Sequence, residues 1–106
     1  MSKNYESRVY GMLKNYKDIA ERVKAVIQEV DPCAEVYVFG SVVRVEFTGV
    51  NDIDILVVTD RIERKYEMMV RVYKSTEAPV ELHITTREGY EKWYKRFISS
   101  SEIMRV

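Results

Sequence analysis

Two aspartates, Asp52 and Asp54, lie two positions apart at the start of an apolar run, and Gly40-Ser41 lies about ten residues before them. Carboxylates so close together repel each other, and near a core they need a cation or hydrogen bonds to compensate. On a strand the two side chains would point the same way, ~6.5–7 Å apart, so that one or two divalent ions could bridge them. Magnesium suits this arrangement, because it binds one or two carboxylates together with phosphate oxygens and water.

The Gly-Ser pair supplies a second part of such a site. Glycine at the end of a strand allows a sharp turn and a close approach of the backbone to a ligand. If Ser41 begins a helix, its hydroxyl and the free backbone N–H groups form a site for anionic oxygens. Ser41 could equally be an ordinary helix N-cap, and the same geometry serves both roles. A Gly-Ser pair is common in turns, so the interpretation depends on the aspartates that follow.

A third ligand is expected from the later segment VELHITT. If this segment is a strand, Val80, Leu82 and Ile84 share one face, and Glu81 and His83 share the other. Either polar residue could face the metal, and we favour Glu81 because magnesium prefers oxygen ligands to imidazole. Three converging carboxylates beside a phosphate-binding turn indicate metal-dependent phosphoryl or nucleotidyl transfer.

The elements that must position these residues alternate between helix and strand. Apolar residues recur at spacings of three and four over 9–30, which predicts a long amphipathic helix ended by Asp31-Pro32. The order α-β-α-β-α-β-α predicts an α/β (α+β) fold in one domain, 1–106, with a small mixed sheet of three or more strands and helices packed mainly on one face. The predicted strands are 34–39, 53–59 and 80–86, and a short helix is predicted over 42–47.

Two further helices carry apolar stripes that we interpret as core packing. The first would begin with a cap formed by Asp60 and Glu63, and the second with one formed by Thr85 and Glu88. The stripe of the first helix comprises Ile62, Tyr66, Met69, Val70 and Tyr73. The stripe of the second comprises Tyr90, Trp93, Tyr94, Phe97 and Ile98.

The bulk composition excludes several classes of protein. Lys+Arg and Asp+Glu both number 17, so the net charge is zero, and a broad nucleic-acid surface is not expected. No apolar run approaches the ~20 residues that span a bilayer, and the first residues do not resemble a signal peptide. The single cysteine, Cys33, is expected to be buried or structural and suits a reducing compartment. These features predict a cytoplasmic protein that does not bind membranes.

The stretch FGSVVRVEFTGVNDIDILVV resembles the DNA polymerase β-like nucleotidyltransferase superfamily, and more closely the minimal nucleotidyltransferase domains of archaea and bacteria. The resemblance implies that one set of residues holds two Mg²⁺ ions and acts in catalysis, while another binds the nucleotide. The first set is Asp52, Asp54 and Glu81, and the second is Gly40, Ser41 and Arg44. The chain departs from the family where Val43-Arg44-Val45 replaces the usual Arg-Gly pattern, and where the third acid is a glutamate.

The activity implied is transfer of a nucleotidyl group, AMP from ATP, to a hydroxyl of a protein or small acceptor, because the chain has no room for a larger acceptor domain. The alternative implied by the family is an antitoxin-like subunit of a toxin-antitoxin system, which neutralises a HEPN-type helical partner with or without catalysis. A weaker third alternative is a nucleotide-sensing structural domain.

The last predicted helix and the tail also suggest assembly. Their aromatic and aliphatic residues are hard to bury in one layer of helices, which predicts a homo-oligomer or a helical partner. The alternative is that the stripe covers the sheet and that the tail containing Ile103, Met104 and Val106 is frayed.

Overall fold

The computed structural model describes residues 16–39, 53–97 and 103–106. The start of the predicted first helix and the predicted short helix over 42–47 lie outside these ranges. Helix α1 spans Tyr16–Val30, followed by strand β1 at Glu35–Phe39 and strand β2 at Ile53–Val58. A single 3-10 turn then leads into helix α2, Lys65–Ser75.

The strands form one mixed sheet of four strands in the order β3-β2-β1-β4. Strand β3 is Val80–Thr85 and β4 is Ile103–Arg105. The β2-β3 pair is parallel, whereas β1 pairs antiparallel with both β2 and β4. The predicted α+β class and the small mixed sheet are confirmed, and the tail is a paired strand, so the alternative of a frayed tail is wrong.

Helices α1 and α2 cover one face of the sheet and enclose the main core, as the prediction of helices mainly on one face required. The residues that meet there are fully buried aliphatic side chains, and they are Val23 and Ile27 of α1, Met68 and Val72 of α2, and Val36, Val38, Ile55 and Val57 of the central strands. Each such side chain contributes ~1.5–3 kcal/mol relative to an exposed position. In β1 buried and partly exposed residues alternate, so the strand offers its other face to a second layer.

Helix α2 packs on the sheet through a different face from the one that the predicted stripe forms. Met68 and Val72 are buried, whereas Tyr66 is 73% exposed, Val70 52% and Tyr73 48%. Met69 of the predicted stripe does pack against the core, but the prediction was wrong for Tyr66, Val70 and Tyr73. Helix α2 carries apolar residues on two sides, and a 3.6-residue period alone cannot decide which side meets the sheet. The result is a row of apolar side chains on the solvent side of α2.

Both predicted helix caps differ from the observed ones. At the 3-10 turn the N-cap is Arg61 and not Asp60, and it makes no side-chain cap hydrogen bond. The Thr59 hydroxyl accepts a hydrogen bond from the Arg61 N–H at 3.0 Å. At the later helix the N-cap is Thr86, one residue beyond the predicted Thr85, and its hydroxyl accepts from the Gly89 N–H at 3.0 Å. Asp and Thr side chains next to each other at a strand end can each accept a hydrogen bond from a nearby N–H group. The sequence alone therefore fixes the position of the N-cap only to within one residue.

A C-terminal helical segment, residues 87–97, lies over the second face of the sheet. It consists of Arg87–Gly89 in α-helical geometry, a π-helical stretch at Tyr90–Tyr94, and a final α-helical turn at Lys95–Phe97. Trp93 within it is 65% exposed, so the predicted aromatic stripe is only partly buried. Among the described helices, none combines the length and hydropathy that a membrane span would need.

Candidate active site

Asp54 and Glu81 lie side by side on the second face of the sheet. Because β2 and β3 are parallel, Asp54 is in register with Glu81, and Leu56 is in register with His83. The neighbours of Asp54 along the strand, Ile53 and Ile55, are fully buried on the opposite face. The alternation of the two strands therefore brings the predicted acids together on the face that carries no long helix.

His83 completes a three-residue cluster with these carboxylates. Its Nε2 atom is 3.7 Å from Asp54 Oδ1 and 3.8 Å from Glu81 Oε1. One ligand atom from each of the three residues lies within 4.8 Å of the others. The exposed fraction of the side chain is 27% for Asp54, 29% for His83 and 55% for Glu81. The cluster is thus open to solvent through Glu81, where a substrate can approach.

The charges of the cluster favour a cation at its centre. The nearby Asp54 carboxylate raises the pKa of His83; burial acts in the opposite direction, and the Glu81 charge adds to the rise. The two N–O distances exceed hydrogen-bond length, so no short hydrogen bond joins the imidazole to either carboxylate. A divalent ion would replace this interaction with direct ligand bonds.

Aromatic rings enclose the imidazole of His83. The ring of Phe39 lies 5.4 Å from it in a tilted arrangement, and the ring of Tyr94 lies 6.3 Å away, edge-on. Phe39 is also in register with Asp54 across the β1-β2 pair. These contacts keep the imidazole ring in an orientation in which Nε2 faces the two carboxylates. Neither aromatic residue was predicted as part of the site.

A second cluster anchors the C-terminal helical segment next to the site. The Tyr37 hydroxyl donates to the Glu35 carboxylate, which also pairs with the Arg87 guanidinium. The Tyr90 ring packs against Tyr37 at a centroid distance of 5.9 Å. The hydrogen bond from Tyr37, followed by that from Arg87, lowers the pKa of Glu35. The signal in the sequence was the alternation of polar and aromatic residues along β1, which places Glu35, Tyr37 and Phe39 on one face.

The remaining predicted site residues, Gly40, Ser41, Arg44 and Asp52, lie outside the described residues. Strand β1 ends at Phe39 and β2 begins at Ile53, so the described chain stops and resumes beside Asp54. The assignment of Gly40, Ser41, Arg44 and Asp52 to the site remains a prediction. Cys33 is exposed, which corrects the expectation that it is buried.

The donor set of the cluster fits a divalent cation. Two carboxylates supply the oxygen ligands that Mg²⁺ prefers, and one imidazole adds a nitrogen ligand. A cavity of about 460 Å³ lies elsewhere, on the helix-covered side, where Asp18, Arg22 and Tyr73 contribute to its lining. The concentration of metal-ligating groups therefore marks the site better than the size of a cavity.

Residues 19–105 match the family described as nucleotidyltransferase domain, and the chain belongs to this family. It is similar to a crystal structure assigned as a nucleotidyltransferase, with 31% identity and a TM-score of 0.65 over 81% of this chain and 95% of that one. It is also similar to a protein from Sulfolobus solfataricus with the same assignment, with 26% identity and a TM-score of 0.54 over 91% of this chain and 79% of that one. No curated protein matches the chain significantly in sequence.

Proposed function

We propose that this chain transfers a nucleotidyl group, AMP from ATP, to a hydroxyl of a protein or of a small acceptor, with a divalent metal ion. The observation that carries the proposal is the pairing of Asp54 with Glu81 on adjacent parallel strands, in a chain of the nucleotidyltransferase family. This pairing supports a shared role for two residues that are 27 positions apart in sequence (81 minus 54).

The proposed roles of the residues follow from their exposure and chemistry. Asp52, Asp54 and Glu81 would hold the metal, with Mg²⁺ as the physiological ion and two ions as the expected number. Bound ions neutralise charge on the triphosphate and lower the pKa of the attacking hydroxyl. Glu81, the most exposed member of the cluster, is suited to the side on which the acceptor hydroxyl arrives. Asp54, more buried, is suited to the phosphate side.

The reaction requires no redox partner. The acceptor oxygen forms a bond to the α-phosphorus, and the bond from that phosphorus to the oxygen bridging to the β-phosphorus breaks. Pyrophosphate leaves in line, and the hydroxyl proton passes to solvent. Gly40, Ser41 and Arg44 would hold the β- and γ-phosphate oxygens, which keeps the leaving group aligned.

The experiment compares ATP labelled at the α-phosphorus with ATP labelled at the γ-phosphorus, using a lysate of the native host as the source of acceptors. The proposal predicts that label moves to an acceptor from the α position only, and that EDTA or Asp54→Asn prevents it. The matched control is Glu21→Gln, because Glu21 is an exposed carboxylate of α1, on the face of the sheet opposite to Asp54. This variant should transfer the label as the wild-type chain does. Transfer from the γ position would indicate a kinase and would overturn the proposal.

The place of action and the acceptor are part of the same proposal. We place the protein in the cytoplasm, where ATP and Mg²⁺ are abundant and where one unpaired cysteine stays reduced. We propose a small molecule or another protein as the acceptor.

A second candidate function is that of an antitoxin-like subunit that binds a HEPN-type helical partner. The observation that favours it is the exposed row of α2, in which Tyr66, Val70 and Tyr73 follow one another at spacings of four and three residues. A row at this spacing fits a single partner helix that packs along it. A homo-oligomer formed through the same row is the competing assembly.

Light scattering of the purified chain, alone and after co-expression with the products of its neighbouring genes in the native host, tests this candidate. A heteromeric complex that Tyr66→Ser with Tyr73→Ser dissociates would support it, and Glu88→Gln, an exposed residue of the C-terminal helical segment, is the control. A homo-oligomer lost in the same variant would favour self-association. A monomer under both conditions would exclude both assemblies.

A further inference from the structure

We propose that His83 is itself a metal ligand, so that the cluster of Asp54, Glu81 and His83 binds a first-row transition-metal dication such as Zn²⁺ more tightly than Mg²⁺. The inference rests on the metal site of the proposed function and concerns only which ion that site prefers. It also revises the expectation that Glu81 alone, rather than His83, completes the site.

The distances allow one ion to reach all three residues. Neighbouring ligand atoms around an ion with bonds of ~2.1 Å lie about 3.0–3.4 Å apart. The observed separations from His83 Nε2 are 3.7 Å to Asp54 and 3.8 Å to Glu81. Movements of a few tenths of an ångström would bring each oxygen to that distance from Nε2, and the two oxygens, within 4.8 Å of each other, would have to approach by up to about 1.4–1.8 Å. The same nitrogen, Nε2, faces both oxygens, as a shared ion requires.

The surroundings of the imidazole support a fixed ligand. Phe39 and Tyr94 contact the ring from two sides, and Tyr94 belongs to the π-helical stretch of the C-terminal segment. Such π-helical stretches are rare and occur often at functional sites, where they redirect a side chain. A ring that is already oriented loses little conformational freedom when it binds an ion.

The imidazole nitrogen of His83 determines which metal ions bind more tightly to the cluster. Mg²⁺ binds oxygen ligands and retains several waters, so an imidazole adds little to its affinity. Imidazole is a good ligand for iron, nickel, copper and zinc dications. The alternative is that His83 is only a protonated counter-ion of the two carboxylates, in which case an arriving ion would displace it from them. The two cases differ in whether Nε2 touches the metal.

Binding measurements without nucleotide separate these cases. Zn²⁺ and Mg²⁺ binding are both measured by calorimetry, in a chain carrying Cys33→Ser and in the same chain with His83→Gln added. Loss of a ligand should weaken Zn²⁺ binding by about 10-fold or more, and Mg²⁺ binding by less than about 3-fold. Glu88→Gln, an exposed carboxylate of the C-terminal helical segment, is the control and should change neither affinity. Equal weakening of both ions, or none, would overturn the inference.

A second measurement does not depend on a substitution at His83. The chain has one histidine, so its nitrogen-15 imidazole signals need no assignment. In a Cys33→Ser background, which removes the exposed thiol, added Zn²⁺ should shift the Nε2 signal strongly and leave Nδ1 protonated. An unshifted Nε2 signal at saturating Zn²⁺ would overturn the inference. If AMP is transferred but the Nε2 signal does not shift, His83 is not a metal ligand and the proposed function stands. If the signal shifts but no AMP is transferred, the metal ligand stands and the proposed function is rejected.

Discussion

Glu81 lies directly beside Asp54 because β3 runs parallel to β2 and the two residues share one register position. Two carboxylates held this way, near a half-buried imidazole, are costly unless they bind a cation. The arrangement therefore supports the joint metal-binding role that we propose for the two acids.

Glu81→Gln should reduce nucleotidyl transfer by about 100-fold, equivalent to about 2.7 kcal/mol in the barrier, because the amide keeps the shape and loses the charge that holds the metal. Transfer of label from the α-phosphorus of ATP measures the effect, and Glu88→Gln is the control with an unchanged rate. Full activity of Glu81→Gln together with an inactive His83→Ala would assign the catalytic ligand to His83 instead.

The buried pair of Asp31 and Thr59 joins the end of α1 to the end of β2. Asp31 is 4% exposed and Thr59 2%, and the Thr59 hydroxyl donates to Asp31 Oδ2 at 2.5 Å. The Cys33 N–H donates to the other carboxylate oxygen at 3.0 Å. Burial raises the pKa of Asp31, but the Thr59 and Cys33 hydrogen bonds and the Arg61 charge outweigh it, so the pKa lies below its ordinary value of 3.8.

Thr59→Val should therefore lower the free energy of unfolding by about 1–3 kcal/mol near neutral pH. A lowered folded pKa stabilises the protein above the unfolded value of 3.8, and this contribution is lost as the pH falls through the folded pKa. The difference between wild type and variant should accordingly be largest at about pH 6 and shrink towards about pH 3. Urea unfolding at both pH values measures it. A difference that grows on acidification would contradict the assignment.

The cap of the C-terminal helical segment distinguishes two adjacent threonines. Thr86→Ala should lower the free energy of unfolding by about 1 kcal/mol, because the Gly89 N–H loses its acceptor. Thr85→Ala, the position predicted from sequence, leaves that hydrogen bond in place and should cost less. Thermal unfolding of the two variants compares them. A larger loss in Thr85→Ala would show that the cap is placed one residue earlier.

The sequence predicted the parts of the fold that depend on strong local patterns. The apolar run around Asp54 predicted a buried strand, and the alternation in VELHITT put Glu81 and His83 on one face, as observed. The choice between the two stripes of α2 could not be predicted, because it depends on how the helix packs on the sheet. The strand formed by the tail, and the rings of Phe39 and Tyr94 around His83, arise from contacts between residues distant in sequence.

Calorimetry of ATP binding tests the central claim most directly, because it needs no acceptor. We expect the wild-type chain to bind ATP in the presence of Mg²⁺ and to lose that binding when EDTA is added. The double variant Asp52→Ala, Asp54→Ala should not bind, whereas the exposed control Glu21→Ala should bind like wild type. Undiminished ATP binding by the double variant, or binding unaffected by EDTA, would contradict a metal-dependent nucleotide site at these carboxylates.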